Sequence, residues 1–282
     1  WWMRRIREGA CAVVNPFNPR QVSHVSLRPE HVDAIVFWTR NAAPLLPYLA
    51  ELNGRGYRYY FQYTLTGYNS AIEPNVPEVA NVVTTLTQLA AAIGPERICW
   101  RYDPILFTNT MPPEYHLEHF AALASALRGL TQHVTVSLFD EYRGAMRRLR
   151  ELAPAVQLLE IPETSERFAH CMRTLASIAE AQGMAISSCA ETVDLRPYGI
   201  MPGQCIDGAY LRRVFGIEVA TAKDPNQRAA CGCVASKDIG AYDTCLHGCR
   251  YCYATHRDGL AAARHAAHGV ESPALLPMEP RS

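Results

Sequence analysis

Cys245, Cys249 and Cys252 stand at the spacing C-x3-C-x2-C, with Gly248 ahead of the second thiol and Tyr251 ahead of the third. Cys231-Gly-Cys233 lies just upstream, so five of the 10 cysteines fall between positions 231 and 252. Three thiolates on one tight loop can converge on a single metal centre, whereas a helix or strand would scatter them. Iron–sulfur clusters are held by cysteines at such short spacings. Three protein ligands on a four-iron cluster leave one iron open. Zinc would instead take four of these thiolates as a closed tetrahedral site. Disulfides are the third reading, but short Cys-dense spacings outside a small secreted domain favour metal. Ligand type and spacing put the 4Fe-4S cluster first.

The remaining thiols divide into two sets. Cys189 at an expected strand end and Cys205 after a turn can join Cys231 and Cys233 as four ligands of a second centre, a further cluster or zinc. Alternatively Cys231 or Cys233 completes the triad, which would close the fourth iron. Cys11, Cys99 and Cys171 sit in apolar stretches and read as core residues. His247 reads as a loop residue rather than a ligand, and Asp238 and Asp243 as turn formers.

These groups need elements to place them. In 282 residues, 49% hydrophobic and 19% charged, there is room for one large core or two modest ones. The formal net charge of +0 gives no support to a nucleic-acid partner. No run of 18 apolar residues predicts a membrane span, and many unpaired thiols favour a reducing cytoplasm.

Apolar strand-like runs alternate with helical periodicity over 34–188: strands at 34–38, 57–66, 97–102, 134–139, 156–161 and 184–188, and helices at 45–52, 79–93, 116–130, 143–152 and 163–182. Such alternation implies parallel strands with helical crossovers. The fold class expected is α/β, a TIM-barrel-like partial βα barrel lacking its first strand, with an irregular Cys-rich segment at its C-terminal side. Its organisation is residues 1–216 as the barrel-like domain, 217–256 as the cluster segment over the barrel mouth, and 257–282 as a terminal helix and disordered tail. Each strand ends in polar residues, where a βα barrel builds its active site. Arg40, Gln62, Arg101 and Asp103 are therefore candidates for cofactor or substrate contacts, beside Thr39, Thr64, Ser137, Asp140 and Glu191.

Several stretches together resemble one family: Asn15 to Pro19, Phe37-Trp-Thr-Arg-Asn41, Trp100-Arg-Tyr-Asp-Pro104, Cys205-Ile-Asp207, Gln227-Arg228, Ser236 to Gly240 and Cys245 to Ala254. They resemble the domain-of-unknown-function 1848 family over nearly the whole chain. The resemblance implies a further strand before Trp1 and transfers no activity. The string C-x3-C-x-aromatic-C is similar to the radical SAM signature, and part of the family is similar to radical SAM proteins of the spore-photoproduct-lyase type. That likeness implies S-adenosylmethionine (SAM) chelated at an open iron and cleaved reductively to a 5′-deoxyadenosyl radical. It also implies an electron donor and a substrate, a small molecule or one of unknown class. The rival reading is a non-catalytic Fe–S or zinc protein serving structure, electron transfer or partner binding. A DNA-repair role rests on the photoproduct-lyase likeness alone and has no support from charge.

Overall fold

The computed structural model describes residues 1–16, 18–257 and 259–278. Phe17 of the family motif and residues 279–282 of the expected tail lie outside the described residues.

Helix α1 (Trp2–Glu8) ends on Gly9, whose φ of 75° lets the chain reverse into β1 (Ala10–Asn15). β1 pairs antiparallel with β2 (Asn18–Ser26). This hairpin stands apart from the main sheet, which takes its strands in chain order: β3 (Ile35–Thr39), β4 (Tyr59–Thr64), β5 (Ile98–Ile105), β6 (His133–Leu138), β7 (Ala185–Cys189) and β8 (Met201–Gly203). All five neighbouring pairs are parallel. Helices make the crossovers: α2 (Leu49–Gly54), α3 (Val79–Ile93), α4 (Pro113–Ala126), then α5 (Arg143–Arg150) and α6 (Glu166–Ala181). The sheet is followed by α7 (Gly208–Phe215) and, after a long irregular stretch, α8 (Leu260–Ala267).

Alternation along the strands separates two faces. Phe37, Tyr59, Phe61, Tyr63, Ile98, Trp100, Tyr102, Val134 and Val136 join the large core under α3, α4 and α6. Trp100 stacks on Phe120 of α4 at 4.8 Å, and its indole N–H donates to Leu65 O at 2.8 Å. Their alternates, Gln62, Cys99, Arg101, Thr135 and Ser187, are buried on the opposite face and are mostly polar. There Tyr210 and Leu211 of α7 pack on Tyr60 and Cys99. A buried polar face needs partners, and the segment after β8 provides many of them.

Two expected elements differ. Residues 156–161 do not enter the sheet: Leu158 bridges to Thr108, and Leu159 N–H donates to Phe107 O at 3.0 Å. A short apolar run flanked by prolines can serve a loop as well as a strand. The sixth strand is instead Met201–Gly203, read from sequence as a turn because it is short and contains Pro202. The region after α8, expected to be disordered, is ordered in its described part. Pro273 O accepts from Ala12 N–H at 2.8 Å, and Ala274 is fully buried against β1.

His116 of α4 gives the core a pH dependence. Its Nδ1 lies 2.7 Å from Tyr102 Oη and its Nε2 3.1 Å from Leu106 O. A neutral ring with the proton on Nε2 satisfies both contacts. Burial pushes its pKa down to about 4 from 6.5. A depressed histidine leaves stability intact above pH 6.5 and removes it as pH falls toward 4, by roughly 3 kcal/mol. Urea unfolding of wild type and His116→Gln between pH 7 and 4 should show a steeper loss in wild type. Equal slopes would remove His116 as the cause.

Candidate metal centres and strand-end site

The triad loop is closed by Asp243, in the left-handed region at φ 54°. Its N–H donates to Ala254 O at 2.9 Å, and its Oδ1 accepts from the N–H groups of His256 and Arg257. Gly248 turns the loop at φ 67°, with Pro74 Cγ only 3.3 Å from where a Cβ would stand. Asn75 anchors it further, donating from Nδ2 to Leu246 O and from its N–H to His247 O, while His247 Nδ1 sits 3.0 Å from Asn75 O. His247 is thus a loop anchor.

Arg148 of α5 lies at the centre of this loop. Its Nε reaches Arg250 O at 3.2 Å, Nη1 reaches Thr255 O at 2.7 Å, and Nη2 donates to Cys252 O. The side chain is almost wholly buried. In the sequence it stands in the basic run Arg147-Arg148-Leu149-Arg150 of the helix expected over 143–152.

Cys249 and Tyr251 are buried with Tyr68, Ile72, Leu106, Met111 and Leu149, while Cys245 is exposed. Burial pushes the Cys249 thiol up to about 12, against the charge of Arg40, with Glu73, Cys252 and Cys245 adding to the rise. Behind them, Arg40 at the end of β3 pairs with Glu73 at 2.9 Å, donates to Thr66 Oγ1 at 3.1 Å and donates to Tyr251 Oη. Tyr251 in turn donates to Glu73 Oε1. Burial works against the charge of Arg40, but Tyr251, Glu73, Cys249 and Asp103 together hold it firmly protonated. Glu73 Oε2 is buried without a hydrogen-bond partner. Neither Glu73 nor Arg148 carries a sequence signal of its role, since each acts through a contact distant in the chain.

A second thiol group forms at the other edge of the sheet. Cys189 Sγ and Cys205 Sγ are 3.0 Å apart, and Cys205, Cys231 and Cys233 are buried together with Cys189, Ala190 and Ile206 around them. Arg101 Nη1 donates to Cys205 Sγ at 2.7 Å, and Ile206 N–H to Cys233 Sγ at 3.3 Å. Hydrogen bonds from Cys205 draw Cys233 down to about 5 and Cys189 to about 6, in both cases against burial. Gln62 and Tyr60 both donate to Cys205 O, at 2.9 and 2.6 Å. Among the described residues no three His, Cys, Asp or Glu side chains stand in ready coordination geometry, at the triad or here; Cys189 and Cys205 touch each other.

The four strand-end candidates therefore separate. Arg40 faces the triad, whereas Gln62 and Arg101 are committed to Cys205. Asp103 lies between: its Oδ2 accepts from Arg101 Nε at 2.9 Å, its Oδ1 from Ser137, and it is an electrostatic neighbour of Arg40. Burial would raise its carboxyl, but Arg101, Ser137 and Arg40 outweigh that and hold it below the usual range. Glu191 accepts from Leu138 N–H at 2.9 Å, and burial pushes it up to about 7. It lines, with Ser188, Asp194, Arg196 and Ala230, a surface pocket of about 210 Å³ at the ends of β7 and β8. Cys11, Cys99 and Cys171 are core residues, as expected.

No helix among the described residues is long and apolar enough to cross a membrane. A family model described as domain of unknown function (DUF1848) matches residues 1–254. No curated protein matches the chain.

Proposed function

The chain belongs to the DUF1848 family, and on that premise we propose that it is an iron–sulfur enzyme of the radical SAM type. The observation that carries the reading is the triad loop itself, three thiols at C-x3-C-x2-C spacing on one closed turn, with Cys249 buried in one cluster with Tyr251 of the Arg40–Glu73–Tyr251 network at a strand end. The strand order β3 to β8, parallel and sequential, is the order a βα barrel uses. The donor set suits a 4Fe-4S cluster, with Cys245, Cys249 and Cys252 as its ligands. Bound there, such a cluster would supply an electron and an open iron at which SAM can be cleaved.

The chain's own residues have separable tasks. Arg40 places a permanent positive charge beside thiolates that are all negative when they bind metal. Tyr251 and the apolar wall of Ile72, Met111 and Leu149 keep water from the inner side of the loop. Glu73 Oε2, buried without a partner, would accept from the ammonium group of SAM. Asp103, fixed by Arg101 and Ser137, is a charged group between the triad and the second thiol set, where a substrate would be oriented. The exposed Cys245 leaves one edge of the loop open to an external electron donor.

Anaerobically purified and reconstituted protein should hold about four irons and four sulfides at the triad. After reduction it should convert SAM to 5′-deoxyadenosine, read by chromatography. Iron without SAM cleavage would leave a non-catalytic cluster protein. Zinc at the triad, with no iron after reconstitution, would end the reading.

A further inference from the structure

We propose that Cys189, Cys205, Cys231 and Cys233 bind a single zinc ion as a closed tetrathiolate site, separate from the triad. The site is independent of any SAM chemistry.

The four thiols come from three places in the chain: the end of β7, the turn after β8, and the loop holding Cys231-Gly-Cys233. Folding brings them into one buried group whose apolar surroundings are little more than Ala190 and Ile206. The sulfur spacing decides the metal. In a tetrahedral site with Zn–S bonds of ~2.3 Å, neighbouring sulfurs lie about 3.8 Å apart. Cys189 and Cys205 approach to 3.0 Å, and Cys205, Cys231 and Cys233 form one buried cluster with Cys189 packed against it. Small outward shifts convert these contacts into a four-sulfur shell around one ion. A four-iron cube would force its ligand sulfurs much farther apart.

The surroundings suit thiolates bound to a cation. Arg101 donates to Cys205 Sγ and the backbone of Ile206 to Cys233 Sγ, the kind of N–H to sulfur contact that orients metal-bound thiolates. Arg101 also offsets part of the charge left when four thiolates meet one divalent ion. On binding, the thiol protons pass to solvent, and no electron moves.

The segment has a structural need for such an ion. Between α7 and α8 it contains no helix or strand among its described residues, only the isolated bridge of Lys223 with Val234. Stretches of that length without secondary structure are uncommon in a compact domain. Near these thiols Val234 N–H donates to Ile206 O of the turn after β8, and within the segment Asp224 N–H donates to Cys233 O, both at 3.0 Å. A tetrathiolate zinc would tie it to the ends of β7 and β8 and contribute folding free energy directly. A disulfide between Cys189 and Cys205 would tie only two of the three places.

The test uses the full chain purified anaerobically. With Cys245, Cys249 and Cys252 all replaced by alanine, it should retain about one zinc per chain and no iron. C231A/C233A should lose the zinc and keep the triad's iron. Because that variant can misfold, the zinc edge of wild-type protein is measured as well, and X-ray absorption should show four sulfurs at about 2.3 Å. Iron and sulfide in the triad-free protein, a nitrogen or oxygen ligand on the zinc, a Cys189–Cys205 disulfide in protein kept under reductant, or no zinc after incubation with zinc and reductant would each overturn the site.

Discussion

Cys249→Ala protein, reconstituted as wild type, is expected to lose its four-iron absorbance and form no 5′-deoxyadenosine above background. Cys249 is the central and most buried thiol of the triad, between Tyr251 and Ile72 in a small core of its own. Two remaining thiols cannot hold a cube whose fourth iron must stay open. Truncating one buried sulfur costs on the order of 1 kcal/mol, within the ordinary range for point substitutions, so the protein should still fold. Iron, sulfide and zinc are measured together with the circular dichroism of the same sample. An iron content equal to wild type would place the cluster elsewhere and remove the triad as its ligand set. Loss of iron with zinc retained is the pattern expected of two separate sites.

How far the sequence shows this arrangement depends on where each group's partners lie in the chain. Helix 79–93 is legible because Val82, Leu86, Leu89 and Ile93 all turn one way into the core, and its ends coincide with the expectation. The strands from β3 to β7 are legible for the same local reason, since their apolar alternates pack under helices. Met201–Gly203 is not, because three residues including a proline carry no period; its place comes from pairing with β7. The triad is legible as a loop because its ligands are adjacent in sequence. The convergence of Cys189 and Cys205 with Cys231 and Cys233 follows from strand ends meeting across the sheet, and the expected strand boundary at 188 put Cys189 at such an end.

What the sequence hides are the partners. Arg101 is visible as a strand-end arginine, but its commitment to Cys205 needs the turn after β8 folded back across β4 and β5. Gln62 donates to the carbonyl of that same cysteine, which separates it from Arg40 even though both stand at strand ends. Glu73 lies in a turn with no periodic signal, yet it joins Arg40, Thr66 and Tyr251 into one buried unit.

Arg148→Met should leave the sheet intact and release the triad loop. The arginine donates to three loop carbonyls, those of Arg250, Cys252 and Thr255, and its methylene stem is buried beneath them. Methionine keeps much of the volume and removes every donor. Buried carbonyls left without a partner cost about 1–3 kcal/mol each, reduced where the loop opens to water. A total loss of roughly 3 kcal/mol is therefore expected, concentrated in the loop rather than in the sheet. Hydrogen exchange should show the amides of residues 243–256 exchanging faster while those of β4 and β5 keep their protection. Iron retained after gel filtration should fall several-fold, because the thiols no longer start from one fixed turn and the cost of ordering them opposes cluster binding. Arg148→Lys should recover little, since one compact ammonium cannot span three carbonyls that a planar guanidinium reaches together. Unchanged exchange in residues 243–256 with unchanged iron retention would show that the loop is held by Asp243 and Asn75 without Arg148.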